Sequence, residues 1–178
     1  VLAALQKIMP WENYIYLGDT ARLPYGTKSG ETIERYTLKA ADLLIEMGIK
    51  MLVIACNTAT TYSIQSLQKR HPDLPIIGVI EPGAQIACQV SQAGSIAILA
   101  TEATVRGKSY EKAILNLRPE AKVAAIACSL FIALVEEGFT QGLIAEEVVK
   151  TYLAPILENS SNSVDCLLLG CTHFPVLE

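Results

Sequence analysis

Apolar residues recur along the chain in two rhythms, short runs of strand type and longer stretches with helical spacing. Asn13 to Leu17 reads as a strand, followed by a polar turn holding Gly18, Asp19, Pro24 and Gly26. Ser29 suits the cap of a helix in which Ile33, Tyr36, Ala40, Leu43, Leu44 and Met47 recur at helical spacing, and Gly48 suits its end. Met51 to Ala55 is a fully apolar strand, Thr58 to Arg70 the next helix, closed by the His71-Pro72-Asp73 loop, and Ile76 to Ile80 another strand. Glu81-Pro82-Gly83 reads as a break. Beyond it come a helix at Ala84 to Val90, a strand at Ile96 to Ala100, a helix at Gly107 to Leu117 and a strand at Lys122 to Ala127. Two helices, Leu130 to Glu137 and Ile144 to Leu157, precede a last strand at Cys166 to Leu169.

Strands alternating with helices predict an α/β fold, with mostly parallel sheets covered by helices on both faces. Two segments resemble each other: Leu52-Val53-Ile54-Ala55-Cys56-Asn57-Thr58 and Leu167-Leu168-Leu169-Gly170-Cys171-Thr172-His173. Each places an apolar strand, then Ala or Gly, then Cys and two polar residues. The pattern predicts two pseudo-symmetric α/β units, residues 1–81 and 82–178, with the active site between them.

Composition narrows the function. A chain of 178 residues that is 51% hydrophobic can bury a substantial core. Its net charge of −4, with no basic run interleaved with aromatics, offers no surface for nucleic acid, so a small ligand is the better expectation. The apolar runs are short and interrupted, so none could span a bilayer. Five cysteines at irregular spacings do not make a disulfide framework, and free thiols point to the cytoplasm. Val1 to Ile8 reads as the latter part of a helix already under way, and Leu177 and Glu178 follow a motif directly, so truncation is expected at both ends.

Cys56 and Cys171 stand where chemistry is expected. In an open parallel sheet, ligands bind beyond the carboxyl ends of the strands, and both cysteines lie there. A helix amino terminus offers N–H groups and positive potential, which can lower a thiol pKa and bind a carboxylate. Two thiols on opposite faces of one carbon suit racemisation, which needs a base on one side and an acid on the other. Buried cysteine is more often an inert core residue, and that reading is taken for Cys88, Cys128 and Cys166, which have no polar companions. Cys171 and His173 could also ligate zinc, but no CxxC or HxxxH pairing accompanies them, so no metal is expected.

Four blocks resemble the glutamate racemases of bacteria: Gly18-Asp19-Thr20-Ala21-Arg22-Leu23-Pro24-Tyr25-Gly26, Val53 through Thr60 around Cys56, Gly78-Val79-Ile80-Glu81-Pro82-Gly83-Ala84, and Leu169-Gly170-Cys171-Thr172-His173-Phe174-Pro175. The resemblance implies interconversion of L- and D-glutamate without pyridoxal phosphate, metal or nucleotide, supplying D-glutamate for peptidoglycan synthesis and so for cell-wall biogenesis and cell shape. It implies that Cys56 and Cys171 are the acid/base pair, the first acting on D-glutamate and the second on L-glutamate. Tyr25, Gly26, Asn57, Thr58, Thr172 and His173 match substrate-contacting positions, with Thr104 as a further contact. His173 could orient or tune Cys171 or assist proton transfer, while Asp19 and Glu136 could support the site. The similar aspartate racemases carry a carboxylate after the second Cys-Thr, so His173 favours glutamate. A homodimer is implied as well. The chain departs from the family by lacking its opening strand and Asp-Ser-Gly-x-Gly-Gly loop and the elements beyond the second cysteine motif, which bears on activity. The remaining alternatives are a two-cysteine enzyme acting on aspartate, hydantoins or maleate, and a non-catalytic binding module.

Overall fold

The computed structural model describes residues 1–157 and 163–177. Eight α-helices and five strands are present among them, with one or two helices between successive strands: α1 (Leu2–Ile8), α2 (Gly30–Glu46), β1 (Leu52–Ile54), α3 (Asn57–Arg70), β2 (Ile76–Gly78), α4 (Ile80–Val90), β3 (Ser95–Ala100), α5 (Glu102–Gly107), α6 (Ser109–Leu117), β4 (Lys122–Ala127), α7 (Ser129–Glu136), α8 (Leu143–Leu157) and β5 (Cys166–Gly170). Short 3₁₀ turns lie at Thr20–Arg22, Tyr25–Thr27 and Phe174–Leu177.

The strands form two parallel sheets. β1 pairs with β2, Leu52 opposite Ile76. In the second sheet β3 lies between β4 and β5, with Ile98 opposite both Ala125 and Leu168. Every residue of β3 is buried, as a central parallel strand requires, and its sequence Ser-Ile-Ala-Ile-Leu-Ala is correspondingly almost wholly apolar. Its two faces feed different cores. Ile96, Ile98 and Ala100 pack with Ile80, Ala84 and Ala87 of α4 and with Tyr110 and Ile114 of α6. Leu99 packs with Cys128, Phe131, Leu134, Cys171 and Phe174. The smaller sheet has its own core, in which Ala41 of α2 and Ala59 and Leu67 of α3 cover Leu52, Ile54 and Ile76.

Local chemistry accounts for the helix ends. Ser29 caps α2, its Oγ accepting from the Thr32 N–H at 3.3 Å, and Gly48 just beyond that helix takes φ 75°, which glycine adopts without a Cβ penalty.

Three expectations are corrected. Residues 13–17 form no strand: Ile15 and Tyr16 are exposed and no neighbouring strand supplies a ladder, so the alternating pattern has nothing to pair with. Tyr14 instead donates its hydroxyl back to the carbonyls of Leu5 and Met9. Glu81-Pro82-Gly83 is not a break but the first turn of α4, where the missing proline N–H costs no hydrogen bond. That helix begins at Ile80, so β2 is shorter than the apolar run. The stretch after β3 carries two helices rather than one. α5 is capped by Thr101, and the chain turns at Lys108, φ 56°, before α6. Glu178 lies outside the described residues.

Candidate active site

Cys56 and Cys171 each follow the carboxyl end of a strand, one from each sheet, and the Tyr110 side chain touches the neighbour of each, Asn57 and Gly170. Their surroundings differ. Cys56 is the N-cap of α3, and its Sγ accepts the Ala59 N–H at 3.4 Å. Cys171 follows β5 and leads into the 3₁₀ turn at Phe174–Leu177.

Burial governs both thiols, contrary to the expectation that helix termini would hold them low. Desolvation of the thiolate pushes Cys56 up, and the hydrogen bonds from the Ala59 and Thr58 backbone and the Thr58 side chain only partly offset it. Cys171 is pushed up to about 11, by burial first, then by the neighbouring Cys56, against the lowering effect of the His173 and Thr172 backbone. Cys128 is fully buried in the core beside Phe131, and burial alone lifts it to about 12.

A chain of contacts leads away from Cys171. His173 Nδ1 lies 3.7 Å from its Sγ, and His173 Nε2 lies 2.6 Å from Glu136 Oε1 at the end of α7. With the carboxylate fixing the proton on Nε2, Nδ1 keeps its lone pair toward the sulfur. Thr172 is exposed. Among the described residues, no three His, Cys, Asp or Glu side chains converge into a cluster able to hold a metal ion.

Around Cys56 the polar residues are gathered by contacts between the two sheets' layers. The Thr58 hydroxyl lies 2.9 Å from that of Thr101 and 3.0 Å from that of Thr104, and those two are 2.9 Å apart. All three are buried, Thr104 at 2% exposure, so its hydroxyl sits within this trio. The Asn57 Oδ1 accepts the Tyr110 hydroxyl of α6 at 2.6 Å. Gly26 packs so closely on Thr101 that a Cβ there would lie 2.5 Å from the threonine Cβ. Arg106 donates to the Lys28 carbonyl at 2.9 Å and ties the same turn to α5. Beside Gly26, the Tyr25 hydroxyl donates to Asp19 at 2.5 Å. Burial, then Asp19, then charge on Cys56 hold that phenol well above its ordinary range, so it remains a donor.

Thus Tyr25, Gly26, Asn57, Thr58 and Thr104 share one neighbourhood with Cys56, while His173 and Glu136 attend Cys171. Two residues of this neighbourhood carry no signal that sequence reasoning used. Thr101 had a local one, a threonine before Glu102 at the end of an apolar strand, which is a helix-cap pattern. Tyr110 had none, because its partner lies 53 residues away.

Known proteins bear on this arrangement. Residues 1–178 match the Asp/Glu/Hydantoin racemase family. A glutamate racemase of Geobacter metallireducens is 46% identical over 178 residues, covering all of this chain and 64% of that protein. One from Aquifex aeolicus is 43% identical, again over the whole chain and 67% of its own length. The chain therefore spans about two thirds of the length of these relatives. Among solved structures, a glutamate racemase isoform of Bacillus anthracis superposes with a TM-score of 0.93 at 34% identity, over 99% of this chain and 65% of that one. The Francisella tularensis glutamate racemase, in complex with D-glutamate, gives 0.91 at 35% identity, over 99% and 65%. With the match running from the first residue to the last, this chain belongs to the Asp/Glu/Hydantoin racemase family.

Proposed function

We propose that the protein racemises glutamate by proton exchange between Cys56 and Cys171, without a cofactor. The observation that carries this reading is a cysteine beyond the carboxyl end of one strand in each sheet, with the Tyr110 side chain in contact with both Asn57, next to Cys56, and Gly170, next to Cys171. From one enantiomer, the Cys56 thiolate removes the α-proton, and the electron pair left on the α-carbon is delocalised into the carboxylate. The Cys171 thiol then delivers its proton to the opposite face and becomes the thiolate, and the reverse reaction exchanges the roles. His173 accepts or returns the Cys171 proton through Nδ1, with Glu136 stabilising the imidazolium. Asn57, Thr58 and Thr172 supply donors to the carboxylates, and the Tyr25-Gly26 turn closes the pocket with backbone groups.

Burial has a function in this scheme. Where two thiols are both reluctant to ionise, a thiolate, once formed, is poorly solvated and strongly basic. Such a base suits the weakly acidic α-proton of an amino acid. His173 at the position where aspartate racemases carry a carboxylate supports glutamate as substrate, as do the names of the relatives. A cytoplasmic homodimer supplying D-glutamate for peptidoglycan belongs to the same reading. So does a division into units 1–81 and 82–178 with the site between them.

Circular dichroism of D-glutamate in buffer without added cofactor tests the activity, the expected result being decay of the signal toward zero. A folded protein that leaves the signal constant would refute it. Cys56→Ala and Cys171→Ala should each lose at least about a hundredfold in turnover, the span of a missing acid/base group. Retention of full racemisation by either variant would remove the two-base assignment.

A further inference from the structure

Tyr110 touches both cysteine loops through different parts of one side chain. Its hydroxyl reaches Asn57, the residue after Cys56, at 2.6 Å. Its ring lies against Gly170, the residue before Cys171: a Cβ built there would meet ring carbon Cε2 at 3.1 Å. A third close approach is Gly83 in α4, where a Cβ would lie 2.9 Å from the hydroxyl oxygen. Glycine at 83 and 170 therefore leaves the space that the ring occupies. The residue is only 4% exposed, within the core shared by α4, β3, α6 and β5.

The hydroxyl has one hydrogen. With that hydrogen given to Oδ1, the Asn57 amide is held in one of its two orientations, and its Nδ2 hydrogens are the donors left for other partners. Burial, followed by the charges of Cys171 and Glu81, holds the phenol protonated far above neutral pH, so the donor role persists whatever the cysteines do.

We propose that Tyr110 is a positioning residue for the two-cysteine site, fixing the Asn57 amide with its donors toward the substrate carboxylate and setting the level of the Cys171 loop through Gly170. The proposal rests on the racemase reading for its substrate, but its structural core concerns Asn57 alone. It adds to the site a residue from α6 that makes no contact with the reacting carbon.

Tyr110→Phe keeps the ring and removes the hydroxyl. The expected effect is a rise of about tenfold in KM for D-glutamate with kcat changed less than threefold, because the amide then samples both orientations while the ring still supports Gly170. Tyr110→Leu should lower kcat as well. A residue that only fills space would leave KM unchanged in Tyr110→Phe, because the ring is retained, and that outcome overturns the proposal. The side-chain ¹⁵N–¹H₂ signals of Asn57, assigned by their loss in Asn57→Asp, give a readout independent of turnover. In Tyr110→Phe they should shift and broaden. Unchanged signals overturn the positioning claim even if racemisation is observed, whereas shifted signals in a protein without racemase activity support it and count only against the racemase reading.

Discussion

At Cys56 and Cys171 two effects oppose each other on a single atom, and burial wins at both. Backbone N–H groups favour the thiolate, yet the low-dielectric surroundings penalise it more, and Cys171 ends at about 11. This has a sign that stability measurements can read. A group whose folded pKa is raised holds its proton after the unfolded chain has released it, so its contribution is complete below the ordinary thiol value. It is lost as pH climbs from about 9 through about 11 for Cys171. At about 1.4 kcal/mol per pKa unit the loss is at most about 3 kcal/mol. Urea unfolding at pH 8 and at pH 10.5 should show a decline that is smaller in Cys171→Ala than in the parent, and an equal decline would contradict the pKa assignment. Charge behind His173 is testable in the same pocket. Glu136→Gln retains a hydrogen bond to Nε2 but not the carboxylate charge, so racemisation starting from the enantiomer that Cys171 deprotonates should slow roughly tenfold, a difference of about 1.4 kcal/mol. From the opposite enantiomer kcat should fall less, in progress curves run at saturating concentrations of each pure enantiomer, while kcat/KM falls equally in both directions because the enantiomers have equal free energy.

The turn at Tyr25–Thr27 and the start of α5 work as one unit. Thr101 caps α5 through the Thr104 N–H at 3.2 Å, shares its hydroxyl with Thr58, and presses its Cβ against Gly26. A single small residue thus lets the turn approach the helix cap that also orders Thr58. Gly26→Ala introduces a methyl group into space already filled, with an expected cost of about 1–3 kcal/mol by urea unfolding. It should also abolish stabilisation of the protein by D-glutamate in a thermal shift, since the Tyr25-Gly26 turn must move away. Full stabilisation in that variant would show that the turn does not border the ligand. α4 illustrates the converse case, in which an apparent breaker is harmless. Pro82 lies where a helix has unpaired N–H groups in any event, and the buried Ile80, Ala84 and Ala87 hold the helix onto its sheet.

Taken together, the two sheets are unequal. β3 is buried on both faces between two neighbours, whereas β1 and β2 form a two-stranded sheet on which Ile77 and the adjoining Met51 are exposed. A pair of three-residue strands in a two-stranded sheet opens more readily than a central strand. Hydrogen exchange should accordingly protect Ile96 to Leu99 longest and release Leu52 to Ile54 first, and the reverse order would show that the smaller core is the more stable one. The α/β class, the strand limits at Lys122–Ala127 and the helix at α2 were legible along the chain because each is a local pattern that its own burial satisfies. The place of Cys56 and Cys171 at strand ends was legible too, since each follows an apolar run and carries polar companions as direct neighbours. The false strand at 13–17 came from reading alternation where pairing decides. The thiol pKa values, the threonine trio and the place of Tyr110 could not be read at all, because desolvation and contacts across 43 to 53 residues exist only once the layers are packed. Local periodicity and motif spacing therefore determined most of the elements and singled out the two candidate sulfurs, while the dielectric around those sulfurs and the partners beside them arose from tertiary packing.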